Sequence, residues 1–210
     1  MVCGEKFRGA LFTCGPVSVI ASLPDTISAG PIELRRWQPG DLPAVLDAVS
    51  ASLPELRAWM PWARDPVIAD SYADLLKNSH AAFDAGTEFA FGMVETSGLA
   101  VVGACGLHFR QGPGIGDIGY WVRTDRHRRG LATAAVRALT TAAFRYLDDL
   151  GEIHITMDKA NLPSAGVPAR LGFKLRMEED REVLAPGHSG RGLRWMITRA
   201  EWQSAGTEVT

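Results

Sequence analysis

"DIGYWVRTDRHRRGLATAAVRAL", residues 117–139, decides the fold. Residues 117–124 read as a strand, and an alanine-rich helix opens at Gly130. Between them Arg126, Arg128 and Arg129 crowd around His127. A strand that runs into a glycine at a helix start leaves several backbone N–H groups without intrahelical partners, all aimed at one place. Such a terminus carries roughly half a positive charge and is a ready phosphate site. Gly130 and Ala132 keep bulk away from the amides of Leu131, Ala132 and Thr133, and Arg128 and Arg129 stand ready for charge-assisted contacts at the mouth. The local sequence alone leaves a second reading open, an exposed helix start with incidental arginines.

The surrounding punctuation is regular. "IELRRW" (32–37) alternates apolar and polar residues as a half-buried strand should, and Leu42, Val45, Leu46 and Val49 then recur at helical spacing. Tyr72, Leu75, Leu76 and Phe83 predict a second helix after the cap-type pair Asp70 and Ser71. "EFAFGMVE" (88–95) and "AVVGACGLHF" (100–109) read as a hairpin, with residues 117–124 as the third strand of the meander. The longest helix is expected from Gly130 to about Leu150, with Ala135, Leu139, Ala143, Tyr146 or Leu147, and Leu150 on its buried face. "EIHITM" (152–157) reads as a buried strand, "NLPSAGVPARLG" (161–172) as a short helix, and "FKLRMEEDREV" (173–183) and "RWMITR" (194–199) as closing strands. The class is mixed α/β (α+β), a mostly antiparallel sheet around a central parallel strand–helix–strand unit.

Composition narrows the function. The 210 residues are 46% hydrophobic and 22% charged, as in a globular protein with one well-filled core. Lys and Arg number 22 against 24 Asp and Glu, so attraction for phosphate must be local, which weighs against a nucleic-acid binder. Cys3, Cys14 and Cys105 have no zinc-site spacing and are odd in number, pointing to a reducing cytoplasm; Cys105 reads as a small hydrophobe. No apolar run approaches the roughly 20 residues of a membrane span. "GALFTCGPVSVIASLP" (9–24) is moderately apolar but interrupted by Thr13, Cys14, Gly15 and Pro16, and reads as an extension rather than a leader. The expected organisation is an extension over 1–30, one domain over 31–202 and a tail over 203–210.

"HRRGLA" (127–132) resembles the Gln/Arg-x-x-Gly-x-Gly/Ala pyrophosphate loop of the GNAT N-acetyltransferase superfamily, with His127 in the first place. "IGYWV" (118–122), "ATAAVRAL" (132–139), "NLPSAGVPARLGF" (161–173) and "LRAWMPWA" (56–63) are similar, in order and spacing, to segments of its RimL/RimJ-like branch of ribosomal-protein acetyltransferases. The likeness runs from about Ile32 to Arg199. It implies the GNAT fold, acetyl-CoA as donor and CoA as product, and an amine acceptor.

The resemblance implies that Tyr120, Trp121 and Val122 lie beside the pantetheine arm through their main chain, that residues 127–133 hold the pyrophosphate, that Asn161 contacts the cofactor, and that Ser164 donates a proton or hydrogen bond to the CoA sulfur. Asn161 and Ser164 lie three apart at a helix start, where both also serve as ordinary caps. Acetyl transfer to an amine needs a neutral nucleophile and a route for its proton. Asp117 is one candidate base, though a strand-edge carboxylate also pairs readily with an arginine; His108, at the end of the preceding strand, is the second. Trp59 and Trp62 are spaced to share a helical or turn face and read as an acceptor wall, with core or lid packing as the alternative.

The expected function is acetyl transfer from acetyl-CoA to a primary amine, with a protein N-terminal α-amine as acceptor by branch resemblance. A small-amine acceptor, such as an antibiotic, polyamine or amino acid, uses the same donor site, and a non-catalytic CoA-binding module is the third reading. No metal, membrane or nucleic-acid partner is expected, and a homodimer is compatible with the resemblance.

Overall fold

The computed structural model describes residues 22–64, 67–98 and 100–206. Cys3, Cys14 and most of the apolar stretch 9–24 lie outside them.

The strands are β1 (Thr26–Ala29), β2 (Ile32–Arg36), β3 (Glu88–Glu95), β4 (Val101–His108), β5 (Ile115–Val122), β6 (Glu152–Asp158), β7 (Lys174–Asp180) and β8 (Arg191–Thr198). They form one sheet in the order β1-β2-β3-β4-β5-β6-β8-β7. Every neighbouring pair is antiparallel except β5 and β6. The sheet already begins at Thr26, inside the segment read as an extension, and Leu23 before it is buried in the main core.

The helices are α1 (Leu42–Ser50), α2 (Leu53–Trp59), α3 (Ala69–Asp84), α4 (Leu131–Tyr146), α5 (Leu162–Arg170) and α6 (Arg199–Ser204). One face of the sheet carries Phe91, Leu107, Ile118, Ile153 and Ile155, which pack with Leu131, Ala135, Leu139 and Ala143 of α4 and Val167 of α5. The opposite face joins Val94, Val101 and Trp121 to Val45 and Val49 of α1, Leu56 of α2 and Leu76 of α3. Of the apolar positions that predict α3, Leu76 and Phe83 are buried while Leu75 is half exposed.

α4 ends at Tyr146 rather than near Leu150, because Leu147 leaves helical geometry at φ −113° and ψ 87°. The guanidinium of Arg199 takes over the exposed carbonyls, donating to Leu147 and Leu150 at 2.7 Å each and also to Phe144. A cation at a helix C-terminus satisfies orphan acceptors and complements the dipole. Leu147 is buried and Tyr146 is exposed, so Leu147 closes the apolar face.

Candidate active site

β5 and β6 run parallel but pair over only three rungs, Ile115 with Glu152, Gly116 with Ile153 and Asp117 with His154. β5 continues to Val122 and β6 to Asp158 without pairing each other, while their outer edges stay bonded to β4 and β8. The sheet therefore opens a gap beyond Asp117, and both strands lead to its mouth, where α4 and α5 begin. Tyr120, Trp121 and Val122 lie on the gap-facing half of β5, Tyr120 and Val122 packed against the main core and Trp121 against the second.

At the mouth the chain turns through Arg128 (φ 59°) and Gly130 (φ 75°), two left-handed positions separated by Arg129. Glycine adopts this region without a Cβ penalty; arginine does not. The first intrahelical bond of α4 runs from the Ala134 N–H to the Gly130 carbonyl at 2.9 Å, and no side chain caps the turn. The N–H groups of Leu131, Ala132 and Thr133 thus precede the helical ladder, and a Cβ on Gly130 would meet nothing within 4 Å. An open, anion-favouring terminus beside a gap of strand width fits a phosphorylated ligand with an extended arm.

The arginines divide. Arg126 is tied to Glu95 (2.9 Å) and Asp125 (2.9 Å), and Arg129 reaches only the Asp125 carbonyl at 3.4 Å. His127 turns back: its Nε2 lies 2.9 Å from the Val122 carbonyl, locking the turn onto the end of β5. That bond accounts for a histidine where the family loop has glutamine or arginine.

Asn161 caps α5, its side-chain oxygen accepting from the Ser164 N–H at 3.2 Å. Ser164 Oγ lies 3.1 Å from the Tyr120 hydroxyl, which donates to the Ser164 carbonyl at 2.9 Å. Burial pushes the Tyr120 phenol far up, so it stays a neutral donor. Sequence alone assigned Tyr120 only a main-chain contact.

On the other face, register aligns His108, Asp117 and His154 in one row across β4, β5 and β6. His108 Nδ1 is held by Glu88 at 3.1 Å, and its Nε2 lies 3.3 Å from where a Cβ on Gly106 would stand. Asp117 has a buried, unpartnered Oδ2, and desolvation holds its carboxyl above the usual carboxylate range against the pull of His154, Arg194, His108 and Arg110. Among the described residues no arginine pairs with Asp117 directly. Among the described residues, no three His, Cys, Asp or Glu side chains converge as a metal site requires.

Trp59 and Trp62 do not sit on one helix. α2 stops at Trp59, Met60 before Pro61 is extended (φ −109°, ψ 110°), and Trp62 sits on a following 3-10 turn, 48% exposed. Trp59 instead lies beneath the loop between β7 and β8: the Gly187 N–H donates to the Ala58 carbonyl at 2.8 Å and His188 Nε2 to the Trp59 carbonyl at 3.0 Å. The same loop is pinned to the end of β6 by Asp158, which accepts from Ser189 Oγ (2.8 Å) and from the Ser189 (3.0 Å) and Ala160 (2.8 Å) N–H groups.

Residues 32–174 match the family model described as an Acetyltransferase (GNAT) domain. The chain belongs to the GNAT acetyltransferase family. The donor of this family is acetyl-CoA, and the Gly130 turn and the gap beyond Asp117 are the features that suit it. A candidate ribosomal N-acetyltransferase of Bacillus subtilis (strain 168), YdaF, is 40% identical over 57 residues, which are 27% of this chain and 31% of that protein's length. Among solved structures, RimJ of Mycobacterium smegmatis in complex with CoA-disulfide superposes with a TM-score of 0.74 at 24% identity, covering 88% of this chain and 96% of its own. A ribosomal-protein-S5-alanine acetyltransferase from Vibrio fischeri gives 0.74 at 17%, covering 84% of this chain and 98% of its own. These two likenesses are of fold. Among the described residues no helix is long and apolar enough to cross a membrane.

Proposed function

We propose that this chain moves the acetyl group of acetyl-CoA to a protein N-terminal α-amine. The observation that carries the reading is the gap itself: the parallel ladder stops at Asp117, a bare helix start stands at its far end, and a polar row faces the opposite side at its vertex. Bound acetyl-CoA supplies an activated acyl group; the chain supplies position and proton traffic. The amides of residues 131–133 hold the pyrophosphate, with Arg128 and Arg129 flanking, and the Gly130 turn keeps that terminus open. Main-chain groups of Tyr120, Trp121 and Val122 line the arm. Asn161 shapes the start of α5 so that Ser164 presents its hydroxyl, backed by the neutral Tyr120 phenol, to the departing sulfur.

The amine approaches from the opposite face. Asp117 takes its proton, with His108 on β4 as the alternative, and desolvation that raises the Asp117 carboxyl strengthens it as a base. Trp59 and Trp62 border that approach from α2 and the turn after it. The reading takes a reducing cytoplasm as its compartment. The N-terminal acceptor rests on the likeness to ribosomal-protein acetyltransferases.

A thiol-release assay with acetyl-CoA against peptides with free N-termini and a panel of small amines tests the reading. Turnover of peptides, lost on N-terminal blocking, is expected. Turnover of small amines alone would overturn the acceptor class, and neither turnover nor calorimetric CoA binding would overturn the enzyme.

A further inference from the structure

His154 stands outside every motif of the chain, yet it holds the most constrained imidazole near the site. It is 3% exposed, and its Nε2 lies 2.6 Å from Glu152 Oε1 on the same strand. A carboxylate accepts only, so Nε2 carries the proton and a neutral ring keeps its lone pair on Nδ1. That Nδ1 is buried and unpartnered. Directly across the last rung of the parallel ladder, Asp117 Oδ2 is also buried and unpartnered. A buried acceptor without a donor costs on the order of 1–3 kcal/mol, and here two lie on neighbouring strands, on one face, where the sheet opens. The two are not hydrogen-bonded to each other, so a water placed between them would satisfy both.

We infer that His154 is the positioning residue through which Asp117 passes on the proton of the attacking amine, with Glu152 fixing the ring so that Nδ1 receives it. The inference rests on the amine-transfer reading above. As the amine nitrogen bonds to the acetyl carbon, the carbon–sulfur bond breaks and CoA departs as a thiolate hydrogen-bonded by Ser164, while the amine N–H bond breaks and its proton joins the Asp117 carboxylate. That O–H then breaks and the proton passes through a bridging water to His154 Nδ1, giving an imidazolium paired with Glu152. When the products leave, Nδ1 returns the proton through the same water to the solvent that refills the gap, so the ring recovers its Nε2–H tautomer against Glu152 and Asp117 is again a carboxylate. Around the row, His154 itself, then Arg194 of β8, His108 and Arg110 pull the Asp117 carboxyl toward its ionised form, while Glu88 is engaged with His108. Arg194 is itself held by Glu179 at 2.9 Å.

Nitrogen-15 NMR of the full chain reads the tautomer without any acceptor: the neutral His154 ring is expected to carry its proton on Nε2 with Nδ1 bare, and Asp117 is expected to titrate differently in His154→Gln. A protonated Nδ1, or an Asp117 titration untouched by His154→Gln, overturns the inference. In turnover, His154→Gln is expected to lower kcat by about 10- to 100-fold with both KM values kept, and to move the acid limb of the pH profile. Glu152→Gln should give a smaller loss that Glu152→Asp partly restores. Asp117→Asn combined with His154→Gln should be no worse than Asp117→Asn alone, since both lie on one route; multiplying losses would overturn it. A wild-type chain inert toward every amine defeats the proposed function, and the NMR arm then still decides the role of His154.

Discussion

The Tyr120 hydroxyl donates to the Ser164 carbonyl at 2.9 Å and lies 3.1 Å from Ser164 Oγ, joining the gap-facing half of β5 to the helix that follows β6. Ser164→Ala removes the hydroxyl and leaves the carbonyl anchor. We expect about a tenfold or greater fall in kcat with acetyl-CoA affinity unchanged by calorimetry; undiminished turnover rejects the acid role. Tyr120→Phe should lower stability by about 1 kcal/mol, read as a lower Tm, because a buried acceptor loses its donor.

Gly130 is left-handed with open space where a Cβ would stand, so its constraint is the backbone angle rather than crowding. Gly130→Ala should cost about 1–2 kcal/mol of stability and little affinity. Gly130→Glu adds a negative charge at the anion site and should abolish measurable acetyl-CoA binding while the chain stays folded; binding at wild-type strength would place the phosphates elsewhere.

Asp117 is held above its ordinary value of 3.8 chiefly by desolvation, which the positive neighbours only partly offset. The folded chain therefore binds that proton more tightly than the unfolded chain, and stability falls as pH rises from the ordinary value through the folded one. Asp117→Asn should raise Tm at pH 7, with the gain vanishing below about pH 4 where both states are protonated, and lower turnover by about 100-fold. A lower Tm at pH 7 would contradict the desolvated environment.

A Cβ on Gly187 would stand 2.6 Å from the Ala58 carbonyl and 3.1 Å from the Trp59 ring. Gly187→Val should push the loop between β7 and β8 off α2. We expect a several-fold rise in KM for the peptide acceptor with the acetyl-CoA dissociation constant unchanged, checked by steady-state kinetics beside calorimetry.

Much of this was legible in the chain because it is local. Alternation and helical spacing located β2 to β8, α1 and α3 to α5 within a few residues, and Gly130 marked the start of α4 through the backbone freedom that only glycine has. The end of α4 was not legible, since residues 147–150 continue its apolar spacing and the group that terminates it, Arg199, arrives from the far end of β8. That Trp59 and Trp62 fall on separate helical turns has a readable reason, the extended residue that Pro61 demands before it. That His127 also ties the turn to the Val122 carbonyl was not legible, because the contact depends on how β5 ends against the loop.

The sequence by itself determined the elements, the glycine-opened helix and the family, because propensity, periodicity and motif spacing act over a few residues at a time. Only the tertiary structure decided that β8 enters between β6 and β7, that the parallel ladder ends at Asp117, and that His154 shares its last rung. Those facts depend on register between strands far apart in the chain, where one residue of slip turns every side chain to the other face.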